Sequence, residues 1–141
     1  MVILLPCKDT LDYERQLSSF ISQTIASQKN ITFIDCKNSI NPYIFDRREL
    51  PRITEHLFIS RIERLHDFLD QLERVVFDPY FLQSDVLLVS SYLHLLEDAH
   101  RSEQKGFVHA ITNRLALIEQ QHNVRVVLVD FAKNTLFSTA A

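Results

Sequence analysis

Short apolar runs rich in β-branched residues alternate along the chain with amphipathic helical stretches. That alternation constrains the fold more than any other feature. Strands spaced by helices predict a mostly parallel sheet with helices on both faces, a three-layer αβα architecture of the α/β class with about five strands. The runs are Val2–Leu5, closed by Pro6, then Ile31–Asp35, Leu57–Ser60, Asp85–Ser91 and Val124–Asp130. Asp85–Ser91 is nearly unbroken in its apolar character, as a strand covered on both faces must be.

The helical stretches are equally legible. Leu11 to about Gln28 carries Leu17, Phe20, Ile21 and Ile25 on one face, with Asp9 or Thr10 as its N-cap. Arg61 to Val76 carries the stripe Ile62, Leu65, Phe68, Leu69, Leu72, Val75 and Val76, and Asp78-Pro-Tyr ends it. Phe107 to Gln121 carries Phe107, Ile111, Leu115 and Ile118. Cys36 to His56 reads as an irregular connection with one short helix, Leu93–Asp98 as a helical turn, and His100 to Gly106 as a polar, basic loop. At 141 residues, with no repeat or linker, residues 1–141 read as one domain.

Parallel sheets place function beyond the carboxyl ends of their strands. Here those ends are Pro6–Asp9, Asp35–Asn38, Arg61, Ser90–Tyr92 and 130–133. Nucleotide sites at such ends use glycine, because the backbone must approach phosphate without a Cβ in the way. This chain has one glycine, Gly106, and it lies at none of these ends. The scaffold is therefore of a nucleotide-binding kind and lacks the nucleotide-binding loop.

Composition narrows the remaining classes. A net charge of −3 gives no sign of a dedicated nucleic-acid binder. The two cysteines, Cys7 and Cys36, form no disulfide framework and fit a reducing compartment. No apolar run is long enough to span a membrane. Asp35 and Asp130 at strand ends, beside Cys36, allow metal binding or acid–base chemistry, but strand-end capping explains the same residues. The thiols read as structural, though Cys7 and Cys36 would meet if their strands were neighbours. The six histidines show no zinc spacing, and no Gly-x-Ser-x-Gly elbow occurs. Arg47, Arg48 and Arg52, and Arg101 with Lys105, are small basic groups able to contact phosphate. Phe107-Val-His-Ala110 has the spacing of a Phe-x-x-Ala docking peptide, but Phe107 also belongs to a helix's apolar face.

The order of these pieces resembles the ATPase core of the RecA-like recombinases and their paralogues. Ile34-Asp-Cys-Lys-Asn38 is similar to that family's Ile-Asp-Thr-Glu-Gly strand end, Phe58-Ile-Ser-Arg61 to its strand ending in Ala-Arg, and Leu87-Leu-Val-Ser-Ser91 to Walker B. Phe107 to Gln121 resembles the long helix that follows, and Val124 to Asp130 the next strand. The resemblance implies a truncated RecA-like, P-loop-NTPase-like core without a P-loop. Lys8 lies where Walker A would be, Lys37 replaces the water-activating Glu, and Ser90 replaces the Mg²⁺-associated Asp. A lysine near its ordinary pKa cannot accept the water's proton. The resemblance thus implies no enzyme activity and no cofactor.

Degenerate members of this family occur in the Shu complex, a recombination mediator. The resemblance implies a non-catalytic subunit that binds a RecA-like paralogue and assists recombinase in homologous-recombination repair. It also implies contact with single-stranded DNA through Arg101 and Lys105, in the position of the family's first DNA loop. The setting would be the nucleus in a eukaryote and otherwise the cytoplasm. Two alternatives remain open: a structural RecA-like subunit of another assembly, Elongator-type or a cell-division inhibitor, and a small enzyme using Asp35, Asp130 and Cys36.

Overall fold

Val86–Val89, four consecutive aliphatic residues, are all buried. A strand of that kind needs a partner on each side and a helix layer on each face. The computed structural model supplies them, and describes residues 2–37, 45–78, 84–97 and 99–131. The elements in order are β1 (Ile3–Cys7), α1 (Thr10–Ala26), β2 (Ile31–Asp35), α2 (Leu50–His56), β3 (Leu57–Arg61), α3 (Leu65–Phe77), β4 (Val86–Val89), a 3₁₀ turn (Leu93–Leu96), α4 (Arg101–His122) and β5 (Arg125–Phe131). The strands form a five-stranded sheet in the order β1-β5-β4-β2-β3, with every neighbouring pair parallel.

Successive residues of a strand point to opposite faces, so the core divides in two. Leu87 and Val89 join Ile34, Val126 and Leu128 beneath α3 and α4, which contribute Phe68, Leu72, Ile111, Leu115 and Ile118. Val86 and Leu88 join Phe33, Val127 and Val129 beneath α1, whose Leu17, Ile21 and Ile25 complete that face with Ile53 of α2. The expected αβα layering holds.

Three boundaries differ from expectation. β1 runs through Pro6, which pairs with Asp130. β1 is an edge strand, where proline's missing N–H can face away from the ladder. Arg61 ends β3, paired with Asp35, rather than starting a helix. Ile62 donates its N–H to the Asp35 carbonyl, and α3 begins only at Leu65. The largest difference is that His100–Gly106 is not a loop. α4 starts at Arg101, with the N–H groups of Glu103 and Gln104 donating to the His100 carbonyl at 2.8 and 3.1 Å. The Gln104 side chain anchors this turn by donating to Leu96 O at 3.0 Å. Arg, Glu, Gln and Lys are good helix formers, and a solvated first turn shows no apolar periodicity to reveal it. Met1, residues 38–44, 79–83, Asp98 and 132–141 lie outside the described residues, and with them parts of the irregular connection, the helix break and the tail.

Gly106 is consequently a helix-interior residue and no hinge. The left-handed positions fall to Gln28 (φ 64°) and to Asn123 (φ 51°), the residue that ends α4. A Cβ at Gly106 would meet nothing within 4 Å. Gly106→Ala is therefore expected to raise the unfolding free energy by about 0.8–1 kcal/mol, read as a higher urea midpoint at unchanged m-value.

Candidate functional site: a closed nucleotide corner

The carboxyl end of β1 meets the N-terminus of α1, where a phosphate-binding loop belongs in a sheet of this kind. Such a loop takes about eight residues. Here only Lys8 and Asp9 separate Cys7 from Thr10. The turn is also closed on itself. The Asp9 carboxylate accepts the Asp12 N–H at 2.8 Å, and the Asp12 carboxylate accepts the Lys8 N–H at 2.8 Å. The Lys8 bond holds the Asp12 carboxyl below the usual carboxylate range. Two carboxylates thus occupy donors that a phosphate would need, and their charge repels an incoming anion. Gln16 adds a further lock by donating to Pro6 O at 2.8 Å and to Asp12 at 3.2 Å. Asp9 is the N-cap of α1, and the pattern Asp-x-x-Asp before an apolar run is a capping signal of this kind.

The next strand ends are sealed in the same manner. Ser90, buried just past β4, accepts the Cys36 N–H at 2.6 Å. His94 of the 3₁₀ turn bonds the Cys36 carbonyl through Nε2 at 2.6 Å. Cys36 therefore has both backbone polar groups satisfied by side chains from the β4 segment. Lys37 lies beyond it, its N–H donating to Asp35 at 3.2 Å. Its ammonium sits 4.4 Å from the Phe131 ring centroid and 5.3 Å from that of Tyr13. Those two rings are stacked at 5.4 Å. Lys37 thus bridges the ends of β2 and β5 and the first turn of α1 by cation–π contact. None of this Tyr13–Phe131–Lys37 packing was legible beforehand, because its members are 24 and more residues apart in sequence.

The remaining candidates do not converge. Asp35 on β2 and Asp130 on β5 are both buried, and β4 lies between their strands. Cys7 and Cys36 are not on neighbouring strands, since β5 and β4 separate β1 from β2. Three strand spacings are about 14 Å, far beyond disulfide reach. Burial pushes the Cys7 thiol up to about 11 and the Cys36 thiol up to about 12. Both thiols are protonated at neutral pH, which removes nucleophilic character. Among the described residues no three His, Cys, Asp or Glu side chains gather to hold a metal ion. No helix among them is long and apolar enough to cross a membrane.

Arg101 and Lys105 are exposed one helical turn apart on the first turns of α4. Phe107 is half-buried, as the helix-face reading of that residue requires. At the far edge of the sheet, β3 exposes Phe58 (54%) and Ile59 (43%). A strand at the edge of a sheet with exposed apolar side chains is a template for another chain.

No protein-family model matches the sequence, and no curated protein matches it. Among solved structures, the chain is similar to the crystal structure of the RadB recombinase, with a TM-score of 0.72 at 11% identity. The alignment covers 95% of this chain and 65% of that structure. At this identity the likeness speaks for the fold alone: five parallel strands sandwiched between helices, with a RecA-like arrangement.

Proposed function

We propose that this chain is a non-catalytic RecA-like subunit of a recombination-mediator assembly. It binds a RecA-like partner and assists recombinase on single-stranded DNA. The observation that carries the reading is the β1–α1 turn, two residues long and closed by Asp9 and Asp12 on the donors that a nucleotide phosphate would use. The recombination setting comes from the likeness in fold to a recombinase. A RecA-like scaffold that cannot seat phosphate retains its surfaces as its working parts. The apolar β3 edge takes the partner, by strand addition alongside Phe58 and Ile59.

Capture of a purified RecA-like partner on immobilised chain tests this. Capture is expected to be the same with and without MgATP, and lost in Phe58→Glu. A requirement for MgATP on this chain's side would sink the reading.

Arg101 and Lys105 are the residues assigned to phosphate. Each lost phosphate contact lowers the slope of log K against log salt by about 0.7 for a single strand. Arg101→Ala with Lys105→Ala is therefore expected to reduce that slope by about 1.4, measured by fluorescence anisotropy on labelled single-stranded DNA. An unchanged slope removes both residues from the DNA contact.

A further inference from the structure

The outer surface between α3 and α4 carries an apolar groove of about 390 Å³. Phe77, the last residue of α3, protrudes beside it and is 77% exposed, more than any other large hydrophobic residue among those described. Across the groove, α4 presents Gly106 and Ala110, one turn apart, and then Leu117, 41% exposed. At Gly106 the space is open, with no atom within 4 Å of an added Cβ. The groove thus has a knob on one wall and a hollow on the other.

Its charges divide in the same way. Glu73 lines it from α3 and Arg114 from α4. Glu73 and Arg114 face the groove without an ion pair to each other. Arg114 Nη1 makes one long bond, 3.5 Å, to the Ala110 carbonyl of its own helix. Its other guanidinium donors are left for a partner.

A two-fold contact demands a surface complementary to itself, with every knob matched by a hollow and every charge by its opposite within one patch. This patch meets both conditions. We propose that the α3–α4 groove is the contact between two copies of this chain. Phe77 of one copy seats over Gly106 and Ala110 of the other, and Glu73 of each pairs with Arg114 of its mate. An apolar patch of this size on a helix pair fits a protein surface rather than a phosphate backbone, which Glu73 would repel. The contact lies on a helix face, away from the β3 edge, so it is independent of the partner reading above.

Sedimentation equilibrium of the full chain tests it. The wild type is expected to form a dimer that dissociates on dilution. Phe77→Glu should raise the dissociation constant at least about 30-fold, the loss typical of a central anchor. Glu73→Lys and Arg114→Glu should each weaken the dimer about tenfold, and the two together should restore it to within about threefold of wild type. Circular dichroism and urea midpoints check that each variant is folded, and Leu117→Lys gives a second disruption on the opposite wall. A monomeric wild type overturns the proposal, as does a dimer indifferent to Phe77→Glu and Leu117→Lys. Failure of the double charge exchange to rescue overturns the two-fold pairing. A groove protected from solvent labelling by single-stranded DNA or by another protein, and not by self-association, also overturns it. The dimer should survive Phe58→Glu, so loss of partner capture and loss of the dimer are separable results.

Discussion

Phe68→Ala is expected to remove about 3–5 kcal/mol of unfolding free energy. Phe68 is fully buried where α3 meets the sheet, its ring 5.3 Å from that of Tyr92 and tilted by 47°. It shares its cluster with Leu72 of α3, with Ile111 and Leu115 of α4, and with Leu87 of the central strand. Truncation leaves a void that none of these can fill without shifting a helix, so the transfer and cavity losses add. The tilted pair with Tyr92 contributes roughly 0.5–1.5 kcal/mol beyond its area. A domain of this size has about 5–15 kcal/mol in all, so the variant should unfold at a much lower urea concentration with an unchanged m-value. Phe68→Leu, which keeps most of the volume, should cost less than half as much. A loss under about 1 kcal/mol for Phe68→Ala would show that α3 does not pack as described.

Ser90→Asp is the second large effect. It introduces the acid that the resemblance to Walker B implies for this position, and is expected to destabilise this chain by about 3–5 kcal/mol. Ser90 is fully buried, and its hydroxyl accepts the Cys36 N–H at 2.6 Å. Asp35, also fully buried, ends the adjacent strand, so a carboxylate at 90 adds a like charge in a region of low dielectric. The nearby ammonium, that of Lys37, is held over the Phe131 and Tyr13 rings. Ser90→Ala separates the two components. It removes the acceptor and leaves the Cys36 N–H buried, at a cost of about 1–3 kcal/mol. If Ser90→Asp is as stable as wild type and gains stability from Mg²⁺, the site is a latent metal site and the non-catalytic reading fails.

How much of this was legible varies by element. α1, α3 and β4 could be read directly, because burial imposes a period of 3.6 on a helix and a continuous run on a central strand. The start of α4 could not. Arg101, Glu103, Gln104 and Lys105 are helical yet solvated, so the apolar rhythm begins a turn and a half after the helix does. The single glycine misled for the same reason. Gly106 follows a charged stretch as a loop glycine would, yet it lies in open helix, while Gln28 and Asn123 take the left-handed positions. Lys8, Lys37 and Ser90 were flagged by position alone. What each does, beside Asp12, over Phe131 and under Cys36, depends on strand ends brought together by the sheet.

By itself, the sequence determined the class of fold and the lack of a glycine phosphate loop, since both follow from local pattern: periodicity, strand propensity and the absence of residues able to bring backbone against phosphate. The tertiary structure decided the strand order, and with it that Cys7 and Cys36 stand apart and that Asp35 and Asp130 are divided by β4. It also decided that the β1–α1 turn is closed by carboxylates, that Lys37 sits over Phe131, and that Phe77 and Gly106 line one groove. These are contacts between residues distant in the chain. Their energies depend on burial and register, which no local window of sequence contains.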